Sequence, residues 1–192
     1  APDSSDSMGG VGDYTIDSTL FVDDFAGDTE YVMDGDTVTL VFNTDTIDSW
    51  ENGDNVVGVR VLMNFGEDET NSGGPLCAGS NNAQDSITGM IIHDEHEQTA
   101  QGSNANGQGA VMLETVWYNS TLAESGNVSG LSESEIHEQL DAGDTGLGEY
   151  SLEMTVEADA GGRPGCSHSD EGEEINYTVQ LLILDYTVGL AS

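Results

Sequence analysis

Alternation of apolar and polar residues is the feature that most constrains the fold of this chain. The clearest stretch is 149–158, where apolar residues from Tyr150 to Ala158 alternate with serine, threonine and glutamate. A period of two places the apolar side chains on one face of a β-strand. Longer and shorter apolar patterns that also suit strands occupy 13–22, 36–43, 55–65, 86–93, 110–118 and 174–188. These segments predict an all-β fold, an immunoglobulin-like antiparallel β-sandwich of about seven to eight strands.

One short helix is predicted near residue 132. Ser132 followed by Glu135 forms a capping box, and Leu131 and Ile136 occupy the positions of a hydrophobic staple. Gly143 provides a stop signal shortly afterwards. We expect this helix to connect the strands on either side of it.

The first residues differ in composition from the rest of the chain. Residues 1–12 are rich in Asp, Ser and Gly and predict an extended N-terminal arm, whereas 13–192 predict a single β-sandwich domain. The start at Ala1-Pro2-Asp3, without a signal peptide, is typical of a mature secreted protein.

The last predicted strand is apolar on both faces from residue 181 onward, through Leu181, Leu182, Ile183, Leu184 and Tyr186. Such a strand needs a layer of side chains on each side. Two alternatives stay open: the rest of this domain covers both faces, or a neighbouring subunit covers one of them.

The charge of the chain excludes several classes of function. Of 192 residues, 37 are acidic and 2 are basic, which gives a formal net charge of −35. A basic face for nucleic acid and attraction to anionic lipid are therefore excluded. Both basic residues are arginines, so a P-loop or a lysine Schiff base is excluded as well. Adaptation to high salt and extracellular calcium binding both fit this charge, and either predicts a weaker fold at low ionic strength.

Calcium is the one cofactor that the sequence indicates. It binds six to eight oxygen atoms and suits loops with closely spaced acids. No cluster matches an EF-hand, and chance clusters are expected among so many acids. We predict that ligands come from Asp23, Asp24, Asp28, Asp34, Asp36, Asp141, Asp144, Asp170, Glu171 and Glu173, with Glu67, Asp68, Glu69 and Glu174 as further candidates.

The cysteines and sequons indicate a secreted protein, either extracellular or at the cell surface. Cys77 and Cys166 lack the spacing of a zinc site, and we predict a disulfide between them. If the strands simply alternate in direction, the two loops that contain these cysteines lie at opposite ends of the sandwich. Three explanations stay open: the loop with Cys77 folds back along the sheet, a strand has been missed, or the disulfide joins two chains. Three asparagines, Asn119, Asn127 and Asn176, lie in N-glycosylation sequons.

No catalytic constellation is found, and we expect a protein that is not an enzyme. His93 and His96 lack the i, i+4 spacing of a zinc metalloprotease helix, and we interpret their segment as a solvated loop. Carboxylate pairs are too frequent here to indicate a glycosidase. Trp117 is expected in the core. Trp50 is the better candidate for stacking on a sugar, and with the 94–109 loop it forms the site in an alternative hypothesis, a monomeric carbohydrate- or ligand-binding module.

Two acidic strand sequences carry a resemblance to known proteins. The segments LGEYSLEMTVE at 147–157 and EEINYTVQLLIL at 173–184 resemble acidic immunoglobulin-like domains of archaeal cell-surface proteins. The whole architecture is also similar to secreted archaeal fibre and tubule subunits, which polymerise by lending a terminal strand to a neighbour, often with calcium at the joints. This resemblance implies a structural protein that assembles with copies of itself into a filament, tube or surface layer. The donated strand would be the 1–12 arm or the 181–190 tail.

Overall fold

The computed structural model describes residues 9–47, 54–66, 70–72, 85–103, 108–157, 167–169 and 172–191. Its helices are α1 (Ser120–Glu124) and α2 (Glu133–Leu140), and a 3₁₀ turn spans Thr44–Thr46. Its strands are β1 (Gly12–Met33), β2 (Thr37–Asn43), β3 (Val56–Gly66), β4 (Thr70–Ser72), β5 (Ser86–His93), β6 (His96–Ser103), β7 (Gln108–Val116), β8 (Asn127–Leu131), β9 (Glu149–Glu157), β10 (Ser167–Ser169) and β11 (Gly172–Leu190).

The strands form two larger antiparallel sheets, which confirms the predicted all-β sandwich. One sheet has five strands in the order β7-β3-β11-β1-β8, and the other has four in the order β2-β9-β5-β6. The short strands β4 and β10 pair with each other. No helix in the described part of the chain is long and apolar enough to cross a membrane.

The five-stranded sheet has an apolar core on each of its faces. Between the two sheets lies a cluster that includes Val61 of β3, Leu152 of β9 and Leu181 of β11. On the other face, Leu182 and Leu184 of β11 pack in a second cluster with both helices. The domain itself therefore covers both faces of the 181–184 segment, and a neighbouring subunit is not needed for this purpose.

Helix α2 forms where the capping box predicted it. The Ser132 hydroxyl accepts a hydrogen bond from the Glu135 N–H at 3.1 Å, and the Glu135 carboxylate accepts one from the Ser132 N–H at 2.7 Å. Ile136 and Leu140 of this helix are fully buried in the second cluster. The helix thus anchors the layer that covers the outer face of the five-stranded sheet.

Strand β1 is much longer than the predicted 13–22. It spans 22 residues and pairs with β11 from Tyr14 to Met33. A β-bulge interrupts the register where Asp24 and Ala26 face consecutive residues of β11, so Phe25 is the extra residue. The Phe25 ring turns between the sheets and lies 5.6 Å from the Tyr150 ring. The bulge broke the alternation in the sequence, which is why the prediction stopped at 22.

Strand β6 and the buried His93 correct the prediction of a solvated loop at 93–97. β5 and β6 form a hairpin that turns at Asp94, whose φ is +51°. His93 is 1% exposed, and its ring stacks on that of Tyr150 at a centroid distance of 3.9 Å. Its Nδ1 lies 2.8 Å from the Glu149 carbonyl oxygen, and its Nε2 contacts that of Thr145. The residue is therefore a structural link between the hairpin and the segment before β9.

The ends of the strands also correct the predicted position of the cysteine loops. Phe65 near the end of β3 pairs with Ile175 near the start of β11, so the end of β3, which precedes 67–84, and the start of β11, which follows 158–171, lie at the same end of the five-stranded sheet. Strands β4 and β10, which the sequence did not reveal, pair there with Ser72 opposite Ser167. Cys77 and Cys166 themselves lie outside the described residues, and their disulfide stays a prediction.

Candidate functional site

The outer edge of β1 is the candidate functional site. β8 covers this edge only from Gly12 to Thr15, and the Ile16 N–H then donates to the Gly126 carbonyl oxygen at 2.9 Å. At Ser18 the side-chain hydroxyl donates to the Ala123 carbonyl oxygen at 2.6 Å. In the part of the chain that the structure describes, no strand pairs with this edge beyond Thr15. We call the segment from Ser18 to Asp24 the open edge.

The direction of the backbone groups along the open edge follows from two hydrogen bonds. Ile16 donates outward to Gly126, whereas the Asp13 carbonyl oxygen accepts inward from the Ala191 N–H at 3.0 Å. The register with β11 is regular from residue 14 to residue 24. Because successive residues of an antiparallel strand direct their N–H and C=O groups to opposite sides, even-numbered residues here point outward. The N–H and C=O groups of Ser18, Leu20, Val22 and Asp24 therefore form the outward row.

Three consecutive apolar residues occupy the middle of the open edge. Leu20, Phe21 and Val22 are 39%, 49% and 40% exposed, although the β11 residues opposite them are buried. Alternation along the strand places Phe21 on one face of the sheet and its two neighbours on the other. An apolar edge with unpaired backbone groups is a template for pairing with another strand.

Acidic residues bound the apolar segment on both sides. Asp17 precedes it, and Asp23 and Asp24 follow it, all exposed. Asp24 accepts a hydrogen bond from the Gln180 amide at 2.9 Å. Neither proline nor lysine, two residues that often block an edge strand, occurs in β1. Among the described residues, carboxylate repulsion therefore protects this edge, and salt or bound cations weaken that repulsion.

Those predicted calcium ligands that the structure describes do not gather into one cluster. Asp23, Asp24 and Asp28 lie in β1 and not in a loop, and adjacent Asp23 and Asp24 point to opposite faces of the sheet. Asp34 and Asp36 are exposed in the β1–β2 turn around Gly35, whose φ is +79°. Among the described side chains, no three histidines, cysteines or acids lie close enough together to hold a metal ion.

Glu173 differs most from its predicted role as a loop ligand. It is 1% exposed and lies in β11 opposite Val32 of β1. The prediction placed it in an acidic loop because Asp170, Glu171 and Glu174 surround it in the sequence. Pairing of β11 with β1 reaches Gly172, so the strand already includes Glu173. Asp170 and Glu171, like 67–69, lie outside the described residues.

Asp141 belongs to a polar network between α2 and β11. The Tyr186 hydroxyl donates to Asp141 Oδ1 at 2.6 Å, and His137 Nδ1 lies 2.5 Å from the same hydroxyl oxygen. Burial and this hydrogen bond raise the pKa of Tyr186 above its ordinary value. A cleft of about 410 Å³ beside Phe21 is lined by Asp141, Tyr186 and further polar residues. Asp144 is exposed in the turn that follows.

The three sequon asparagines are exposed in the structure. Asn127 begins β8, and Asn176 lies in β11 beside Thr29, whose hydroxyl donates to it. The Asn119 side chain caps α1 by accepting from the Leu122 N–H at 3.1 Å and donates its amide to Gln139 at 2.7 Å. Glycosylation at Asn119 would attach the sugar to the amide nitrogen that donates the second of these hydrogen bonds.

The two tryptophans are placed differently. The Trp117 indole N–H donates to the Val56 carbonyl oxygen at 2.7 Å, and the ring packs against the inter-sheet core as predicted. Trp50 lies outside the described residues. In the 94–109 segment assigned to the alternative binding site, β6 occupies 96–103.

Comparison with known proteins adds little to this description. No family model matches the sequence, and no curated protein matches it. A structure of broad bean stain virus matches 100% of this chain and 94% of the viral chain, with 9% sequence identity and a TM-score of 0.32. A structure of Desmodium yellow mottle tymovirus matches 93% of this chain and 91% of the viral chain, with 6% sequence identity and a TM-score of 0.33. A structure of mud crab tombus-like virus matches 93% of this chain and 92% of the viral chain, with 8% sequence identity and a TM-score of 0.34. Overlaps this weak carry no argument about the function of this chain.

Proposed function

We propose that this protein is an extracellular structural protein that assembles with copies of itself by β-strand addition, without an enzymatic role. The open edge of β1 is the observation that carries the proposal. Along it, no described strand pairs with the outward backbone groups, and Leu20, Phe21 and Val22 are exposed. Strand addition uses both features, because backbone hydrogen bonds supply affinity and side-chain contacts supply specificity.

The structure corrects one of the two donor segments expected from the sequence. The 181–190 tail is part of β11, which lies between β1 and β3 in the middle of the five-stranded sheet. Donating it would break its pairing with β1, which extends from Tyr14 to Met33. A segment that leaves its own sheet to be donated therefore has to lie outside this pairing. The 1–12 arm stays a candidate, although β1 already begins at Gly12 and residues 1–8 lie outside the described part.

Cations have a clear physical role in this proposal. Two copies of a chain with a net charge of −35 repel each other, and several carboxylates lie beside the open edge. Screening by salt shortens the range of this repulsion to roughly 10 Å at 0.1 M and to 3 Å at 1 M. Calcium bound between carboxylates of different copies would act in the same direction at lower concentration. The filament, tube or surface layer would therefore form in high salt or in the presence of calcium.

The experiment is sedimentation velocity across a range of salt concentrations, repeated with millimolar calcium in a fixed salt background. We expect the wild-type protein to form large particles as carboxylate repulsion is screened. Phe21→Asp adds a carboxylate to the centre of the open edge and should prevent formation of the large particles. Met112→Asp is the matched control, because Met112 is 61% exposed on β7 and receives the same charge away from the edge.

The results separate three situations. Assembly of wild-type and Met112→Asp proteins but not of Phe21→Asp supports the proposal. Equal loss in both variants would show that the assignment to the β1 edge is wrong. A 20.2 kDa monomer under every condition would overturn self-assembly itself and favour the ligand-binding module.

A further inference from the structure

We infer that the open edge binds the open edge of a second copy, antiparallel about a two-fold axis, with Phe21 opposite the second copy's Phe21. This inference rests on the proposed function and specifies its first contact. The two five-stranded sheets would join only along Ser18–Asp24, because β8 already occupies the edge at Gly12–Thr15 and the second copy's β1 has to turn away at its bulge after Asp24. Three observations support it: the direction of the backbone groups, the order of the side chains and the positions of the acids.

The backbone directions restrict the register. Only outward residues can exchange hydrogen bonds with a second strand, and on this edge these residues are even-numbered. An antiparallel pair centred on Phe21 places Leu20 opposite Val22 and Ser18 opposite Asp24, so outward groups always face outward groups. About eight backbone hydrogen bonds would form over this length. Phe21 itself then occupies a non-hydrogen-bonded pair, where side chains approach most closely.

The order of the side chains selects this centre among the allowed ones. Centred on Phe21, each of the three apolar residues meets an apolar residue of the second copy. A pair centred on Leu20 would place Asp23 opposite Asp17, and like charges directly opposite each other are destabilising. A pair centred on Val22 would place Phe21 opposite Asp23. The segment is therefore complementary to itself in one register.

The acids and hydroxyls show the same complementarity. In the register centred on Phe21, Thr19 lies opposite the second copy's Asp23, so a hydroxyl donor faces a carboxylate acceptor. None of Asp17, Asp23 and Asp24 lies directly opposite another acid. The second copy is thus the occupant that fits the edge, whereas a neighbour's 1–12 arm lacks three consecutive apolar residues.

Such a joint is isologous and closes after two copies. A filament or layer would therefore be built from dimers and would need a different surface for growth. The open edge fixes the dimer and leaves the rest of each molecule exposed for that contact.

Cysteine cross-linking tests the register directly. A Phe21→Cys variant should form an interchain disulfide under mild oxidation, because Cα atoms in a non-hydrogen-bonded pair lie about 4.5 Å apart, within the range that a disulfide spans. Leu20→Cys alone and Val22→Cys alone should stay largely uncross-linked, whereas an equal mixture of these two variants should cross-link. The wild-type protein, with the same native cysteines, gives the background. Digestion at acidic residues followed by mass spectrometry identifies the linked peptides.

Each result supports or overturns the inference. Cross-linking of Phe21→Cys and of the mixture supports it. Self-cross-linking of Leu20→Cys or Val22→Cys with none at Phe21→Cys would overturn the register. If sedimentation shows assembly but none of these cysteines cross-links, the second copy does not occupy the edge, although self-assembly stands. If no assembly forms, the proposed function fails as well. Should Phe21→Cys fold poorly, the mixture of the other two variants decides the question.

Discussion

Proline substitution at Leu20 separates assembly from folding. The Leu20 N–H points out of the sheet, so a proline there removes no hydrogen bond between β1 and β11. We expect the free energy of unfolding of the monomer to change by less than about 1 kcal/mol. Thr19→Pro is the matched control one residue earlier, since the Thr19 N–H faces β11 opposite Asp185. Losing that ladder bond should cost the monomer about 1–3 kcal/mol.

The effect on assembly can be estimated from the same geometry. In the two-fold joint, one Leu20 N–H from each copy is lost, which at about 0.5–1.5 kcal/mol for each hydrogen bond amounts to about 1–3 kcal/mol. Leu20 is 39% exposed, so its remaining burial contributes about 0.6–1.2 kcal/mol in each copy, part of which proline retains. A total of about 2–4 kcal/mol corresponds to a dimer that dissociates roughly 30- to 700-fold more readily.

Sedimentation equilibrium in high salt measures the dissociation constant, and urea unfolding of the monomer measures the fold. The expected pattern is selective: Leu20→Pro weakens assembly with an unchanged fold, whereas Thr19→Pro weakens the fold. A Leu20→Pro protein that assembles like the wild type would refute the assignment of the edge. The reverse pattern, with Thr19→Pro alone losing assembly at normal stability, would show that the assigned directions of the backbone groups are wrong.

Four further predictions concern the fold. His93→Ala should lower the free energy of unfolding by about 2–4 kcal/mol, because it removes a buried ring and its hydrogen bonds, and urea unfolding checks this value. Burial raises the pKa of both Tyr150 and Tyr186, so the folded state is favoured while these phenols are neutral. This contribution to stability is complete below about pH 10 and falls as the pH rises further. The absorbance at 295 nm should show that these two phenols ionise at higher pH than free tyrosine. If Cys77 and Cys166 form a disulfide, reduction should raise the intact mass by about 2 Da, and an unchanged mass would exclude the bridge. Loss of the disulfide should lower the free energy of unfolding by about 4–5 kcal/mol. Lowering the salt concentration should lower the melting temperature, and a temperature that stays constant across salt would contradict carboxylate repulsion as the main destabilising term.

Local sequence signals predicted those elements whose cause is local. The 149–158 alternation corresponds to β9 at Glu149–Glu157, and the Ser132 capping box to α2. Strand β6 was missed because HEQTAQGS contains no large apolar residue: at the edge of its sheet, with mostly exposed side chains, it needs none. Alternation therefore identifies a strand only when one of its faces is buried by large side chains.

The candidate site depends on information that no local pattern contains. The sequence LFV at 20–22 is typical of the interior of a strand. Only the strand order and the pairing of β8 show that no described strand lies beside the outer edge of these three residues. Glu173 shows the opposite case, since an acidic context suggested exposure and strand pairing buried the residue. Which residues face a partner, a core or solvent is decided by elements far away in the sequence, and a single sequence does not record their arrangement.

The pairing of β1 with β11 has a consequence for how the molecule reaches its folded state. Thr15 of β1 and Gly189 of β11 contact each other although they are 174 positions apart in the sequence. Every other described strand and both helices lie between β1 and β11 in the sequence. Contacts this distant are paid for in loop-closure entropy before they contribute stability, so folding should be slow. Until β11 pairs with β1, the apolar segment at 20–22 has no described strand on either edge. Refolding yield should therefore fall as protein concentration rises, because incompletely folded chains compete for the same strand through the contact that joins finished ones.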